Sequence, residues 1–115
     1  MIVCPKHHCE LKRTATRYGG RLSCPVAGCT VVKWEASEAT PADQETRDAR
    51  IAAHATFDSL WKGAHHEGNV RRRTYMWLGR KMGLVRSECH IGLFNCDQCA
   101  EVVRLAAKMK TEKQR

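Results

Sequence analysis

Two short segments carry the residues best suited to act together. Cys4-Pro5-Lys6-His7-His8-Cys9 and Cys24-Pro25-Val26-Ala27-Gly28-Cys29 each offer soft metal ligands across a turn. A tight turn brings two such side chains to one ion, and two turns flanking a hairpin complete a tetrahedron, as structural zinc sites do. In the first turn Cys4 has three possible companions. Cys4-x2-His7 is the tighter spacing, Cys4-x4-Cys9 is also in the ligand range, and His8 lies between them. The second turn supplies Cys24 and Cys29, with Gly28 allowing the backbone to bend sharply. Four protein ligands leave no open position for water, so the expected Zn2+ is structural rather than catalytic.

Other clusters are weaker. His65-His66-Glu67 resembles part of a metal-dependent nuclease site, but no second cluster of suitable spacing supports it. Cys96 and Cys99 have ligand spacing but sit on an expected helix, so with Cys89 they read as buried thiols, and His90 as a histidine packed into the core. His54 reads as a packed or surface histidine. There is no Ser/His/Asp order, no phosphate-cradling glycine loop and no convincing carboxylate pair, so an enzyme is not expected.

The elements that must position the knuckles are short. Leu11–Tyr18 and Arg21–Cys24 read as strands joined by a Gly19-Gly20 turn, and Thr30–Trp34, β-branched and aromatic, as a third. Arg13, Arg17 and Arg21, with Lys12, are expected on one basic face, with Tyr18 and Trp34 as aromatics able to stack on bases. Trp34 covering the metal site is the plainer alternative.

Residues 36–40 read as a linker. Thr40-Pro41 predicts a helix start running to about Lys62. Ala49, Ala53, Phe57, Leu60 and Trp61 form its inner stripe, while Ala42, Gln44, Glu45, Arg47 and Asp48 lie in exposed first turns. A second helix is expected near 69–82, opened by Arg71-Arg72-Arg73 and closed by Gly83, with Tyr75, Leu78 and Met82 inside and Trp77 beside them. Cations at a helix start oppose its dipole, which makes the three arginines a candidate phosphate contact. After a loop from Leu84 to Phe94, Asn95 and Gln98 form a capping box for a third helix with Cys99, Val102, Val103 and Ala106 inward.

The fold class expected is therefore α+β: an N-terminal zinc ribbon of three short antiparallel strands over residues 1–36, then a three-helix segment over 40–110. The 115 residues carry a net charge of +8, unevenly spread. Residues 1–33 hold six Lys/Arg against one acid, 34–62 three against six, and 63–115 eleven against five. Basic ends around an acidic middle point to an anionic partner, nucleic acid first. No run approaches the length of a membrane helix and no signal peptide opens the chain, so a cytoplasmic protein with no membrane partner is expected. Seven cysteines fit metal ligation in a reducing compartment better than a disulfide framework.

Three stretches together resemble the family of zinc-finger-containing domain proteins, small phage, prophage and bacterial proteins. They are the CPKH…CPVAGC ribbon at 4–29, TPADQETRDARIAAHATFDSLWK at 40–62 and RRTYMWLGRKMGLVRSECHIGLFNCDQCAEVV at 72–103. The resemblance implies a zinc ribbon followed by helices. It favours His7 as the second ligand, since the family's first knuckle is usually CPxC or CPxH, although Cys9 nearby departs from that pattern. Ser59 stands where the family often has proline and Gly79 where alanine is common. The family brings no established activity, and a bacterial or phage-infected cytoplasm is the implied setting.

The function expected is that of a non-catalytic, phage-type accessory protein binding Zn2+ through Cys4, His7, Cys24 and Cys29. It would bind nucleic acid with low sequence specificity through Arg13, Arg17, Arg21, Arg71, Arg72 and Arg73. A protein-interaction module, such as a phage inhibitor docking on a host enzyme or defence complex, is the alternative. No small-molecule substrate is expected.

Overall fold

A computed structural model describes residues 2–113. Its sheet has three antiparallel strands in the order β1-β2-β3: β1 (Lys12–Thr16), β2 (Gly19–Ser23) and β3 (Val32–Trp34). The hairpin reverses at Arg17-Tyr18 and not at Gly19-Gly20. Thr16 is the reason. Its hydroxyl accepts the Tyr18 N–H at 3.1 Å and donates to the Gly19 carbonyl at 2.7 Å. Gly19 then takes the positive φ, 110°, that follows the reversal. Gly20 serves differently: a Cβ there would lie 2.8 Å from Arg13 Nε and 3.0 Å from the Glu35 carboxylate, so its bareness admits that ion pair.

β3 begins at Val32 because the residues before it have other partners. Val31 is buried and its carbonyl accepts the Cys24 N–H at 3.1 Å. The Thr30 hydroxyl accepts the Gln44 N–H at 3.0 Å, and its carbonyl accepts from the Arg47 guanidinium at 2.8 Å.

The first helix, α1 (Gln44–Asp58), starts later than Thr40-Pro41 suggested. Ala42 is buried, not in an exposed helical turn, because it exchanges two backbone hydrogen bonds with Val32, at 3.0 and 3.2 Å. Asp43 is the cap: its carboxylate accepts the Thr46 N–H at 2.8 Å. The helical conformation stops at Asp58 and single turns carry the chain to Gly63.

The chain divides between Asp48 and Ala49 into two compact units. The Val32–Ala42 bridge and the Thr30 contacts tie residues 42–47 to the ribbon, so the segment expected as linker and free helix start belongs with the sheet. The ribbon's core is Cys4, Leu11, Leu22, Cys24 and Val31, with Cys9 and Cys29 against it.

In the second unit, α1 continues and is followed by α2 (Glu67–Met82), single 3-10 turns at Arg86–Glu88 and Ile91–Leu93, and α3 (Cys96–Lys113). α2 closes on Gly83 in the left-handed conformation, φ 69°, as expected. It opens at Glu67 rather than 69, which moves Arg71–Arg73 out of the first turn and removes most of their conflict with the dipole. Asn95 and Gln98 form the expected capping box: the Gln98 N–H donates to Asn95 Oδ1 at 2.8 Å, and the Asn95 N–H to Gln98 Oε1 at 3.0 Å.

Ala53, Phe57, Leu78, Cys89, Ile91, Phe94, Cys99, Val102 and Leu105 make the helical core. Leu105 occupies the inward position expected of Val103, which is exposed. Cys89 and Cys99 are buried as expected, but Cys96, at the first position of α3, is only half-buried and His90 is exposed instead of packed inside. Arg50 is buried and donates from Nε to the Phe94 carbonyl at 2.8 Å, satisfying the loop just before α3. Among the described residues no helix is long and apolar enough to cross a membrane.

Candidate metal centre

The turn after Cys4 and the turn after Cys24 point inward to one place. In the first, the His8 N–H donates to the Cys4 carbonyl at 2.8 Å and the Cys4 N–H to the Cys9 carbonyl at 2.9 Å. His8 takes a left-handed φ of 57° and is exposed, while His7 turns its ring back over Cys4. In the second, the Cys29 N–H donates to the Val26 carbonyl at 3.1 Å, with Gly28 at φ 82°.

The ligand atoms of Cys4, His7, Cys24 and Cys29 all lie within 4.8 Å of one another. Among the described residues this is the one such group of His, Cys, Asp and Glu side chains. Its spacing can be tested against a tetrahedral zinc ion. With Zn–S of about 2.3 Å and Zn–N of about 2.0–2.1 Å, sulfurs stand about 3.8 Å apart and sulfur and nitrogen about 3.6 Å. Cys4 Sγ to Cys29 Sγ is 3.8 Å, and His7 Nδ1 is 3.6 Å from both Cys4 Sγ and Cys24 Sγ. The residues present fit the ion. Bound there, a zinc ion would supply cross-linking of the two turns. Cys9 lies outside the cluster, with its sulfur 3.8 Å from Cys24 Sγ.

The thiols' surroundings pull in different directions. Burial raises the Cys4 thiol, but the backbone N–H groups of His7 and Lys6 and the His7 and Cys24 side chains bring it down to about 6. Burial pushes Cys24 up, and the neighbouring Cys4 and Cys9 sulfurs add to this. Cys29 is lowered by the Val31 N–H, yet burial and the Cys24 and Cys4 sulfurs carry it upward overall. Crowded thiols resist becoming thiolates together, and a divalent cation at their centre reverses that preference.

Lys6, inside the first turn, reaches Asp43 at 2.7 Å. The hydrogen bond from Lys6, and then those from Thr46, hold the Asp43 carboxyl well below the usual carboxylate range. The metal turn is thus tied to the α1 cap, a link that the sequence reading missed. The salt bridge joins residues far apart in sequence, and no local motif marks it.

Within the ribbon, the candidate arginines are not brought to one surface. Arg13 opposes Leu22 and Arg21 opposes Thr14, so alternation puts Arg13 and Arg21 on opposite faces of the sheet. Arg13 is ion-paired with Glu35 at 2.7 Å. Arg17 folds onto Tyr18, with its guanidinium 4.9 Å from the ring centre and donating to the hydroxyl at 2.6 Å. Arg21 is exposed and pairs across the sheet with Trp34, so alternation puts both on the face opposite Leu22 and its core partners Cys4 and Cys24. In the helical unit Arg71 and Arg72 face a cavity, while Arg73 does not line it. Arg80, Arg86 and His90 also line that cavity and were missed. The eight-residue spacing of Arg72 and Arg80 on one helix was the available signal for the first of them.

No curated protein matches the chain, and no solved structure does. The family described as a zinc-finger-containing domain matches residues 15–109, which include Cys24 and Cys29 but begin after Cys4 and His7. A match over most of the length, on a chain whose two turns bring together three thiols and an imidazole at zinc-like separations, leaves one conclusion: the chain belongs to the zinc-finger-containing domain family.

Proposed function

We propose that this is a non-catalytic accessory protein of phage type. Zinc at Cys4, His7, Cys24 and Cys29 holds its ribbon, and its arginines bind nucleic acid with little sequence preference. One observation carries the reading. Among the described residues, Arg13 alone of the six candidate arginines has a carboxylate partner; Arg17, Arg21, Arg71, Arg72 and Arg73 have none. Arginines left without acids in a chain of net charge +8 favour phosphate contacts. The ribbon acts as scaffold, with four protein ligands leaving the metal no place for substrate. Seven free thiols suit a reducing cytoplasm, where we place the protein.

The test is binding of the zinc-loaded protein to unrelated DNA and RNA sequences across a salt series. Similar affinities are expected for all sequences, falling steeply with salt. Replacing Arg21 or Arg71 by Gln should reduce the salt slope by about 0.7–0.9 each. Absence of binding at low salt removes the reading.

A further inference from the structure

The loop after α2 returns across the helix at Gly79. A Cβ at that position would stand 3.0 Å from the Leu84 carbonyl and 3.8 Å from Cys89 Sγ, so the missing side chain is what admits the loop. The loop brings Arg86 and His90 to the face of α2 that carries Arg71, Arg72 and Arg80. Between them is a cavity of about 570 Å³, within the range of about 300–1,000 Å³ typical of small-ligand clefts.

Its lining holds four arginines and no carboxylate, and among the described residues none of the four is salt-bridged. One of them is pre-positioned. The Arg71 guanidinium lies 4.9 Å from the Tyr75 ring centre and 5.4 Å from that of Trp61, and Tyr75 in turn packs on Phe57 at 4.5 Å. A guanidinium resting on rings that rest on the core is fixed without being neutralised. The cavity also has an apolar share: Leu84 lines it, with Met76, which is 58% exposed.

We propose that this cavity binds one nucleotide unit. The phosphate is held by Arg72, Arg80 and Arg86, and the base lies against Met76, Leu84 and the guanidinium plane of Arg71. Guanidinium groups match phosphate oxygens two at a time, and their planes stack on bases. Inorganic phosphate alone would leave the thioether and the leucine uncovered. The unit comes either from a nucleic-acid strand, in which case the inference rests on the reading above, or from a free nucleotide.

The experiment uses the zinc-loaded full chain, a fluorescent single-stranded oligonucleotide with AMP and inorganic phosphate as competitors, and direct calorimetric titration with AMP. The variants are the Arg80→Gln/Arg86→Gln double substitution, its Arg80→Lys/Arg86→Lys counterpart and Arg21→Gln on the ribbon. The Gln pair should weaken oligonucleotide binding at least about tenfold, with partial recovery in the Lys pair. Circular dichroism identical to the parent shows that the fold is kept. Competition by AMP, at least about tenfold better than by phosphate, assigns the site to free nucleotides as well. Sensitivity to the Gln pair without AMP competition assigns it to strands. Oligonucleotide and AMP binding unchanged in the Gln pair overturns the cavity, while weakening by Arg21→Gln in the same assay would leave the broader reading standing. Phosphate competing as well as AMP overturns the role given to the base. AMP binding that depends on Arg80 and Arg86, with no oligonucleotide binding, would sink the broader reading and keep the cavity.

Discussion

In the ribbon, Leu11, Leu22 and Val31 are buried beside Cys4 and Cys24, with Val32 and Ala42 also buried, whereas the helical unit buries Phe57, Leu78, Ile91, Phe94, Val102 and Leu105 together. Four aliphatic side chains (Leu11, Leu22, Val31 and Val32) and Ala42 make a small core for a three-stranded sheet with two knuckles. In the ribbon, the clustered thiols of Cys4, Cys24 and Cys29 stand where a larger core would have apolar side chains, and an ion among them would complete it. The helical unit buries Cys89 and Cys99 singly among larger apolar side chains and is expected to hold without one.

The substitution expected to break this contrast most is Cys24→Ser. It should abolish stoichiometric metal and unfold the ribbon, while Cys9→Ser, beside the cluster but outside it, should keep one zinc per chain. Elemental analysis of the two variants checks this, and equal metal loss in both would place Cys9 among the ligands. Next comes Phe57→Ala, which empties the centre of the helical core and should cost about 3–5 kcal/mol there, with metal content unchanged. Urea unfolding followed at helical amides, alongside zinc analysis, reads both.

Smaller is Asp43→Ala, which removes the α1 cap and the partner of Lys6, for about 0.5–2 kcal/mol. The same carboxylate gives a pH signature. Its pKa is depressed in the folded chain, so its stabilisation is present above the unfolded value of about 3.9 and is lost as pH falls below it. The Asp43 carboxyl carbon resonance, followed by NMR as the pH is lowered, should therefore stay at its ionised position down to the pH at which the ligand thiols protonate and the metal leaves. A carboxyl that protonates at the ordinary value while the metal is still bound would mean that the cap, and not the charge, carries the effect.

Much of this was legible because it is local. The Cys24–Cys29 knuckle, the Asn95/Gln98 box and the Gly83 cap are each set by residues within one turn. What escaped is set at a distance. Thr40-Pro41 looks like a helix start, but Ala42 is claimed by Val32 across a bridge, and the cap passes to Asp43. The expected basic face failed on alternation, since Arg13 opposes Leu22 and Arg21 opposes Thr14. The arginine cavity needed the chain to fold back over Gly79, and a glycine within a helix pattern reads only as a weak point until the returning strand of chain is seen.

The most direct test is a chelator titration of the zinc-loaded protein followed residue by residue by amide NMR. Amides of residues 4–34 should lose dispersion with a midpoint matching zinc release, while those of α2 and α3 keep their shifts. Ribbon amides that stay dispersed after the metal is gone, or a protein that carries no metal when purified, would contradict the claim that an ion holds this part of the chain.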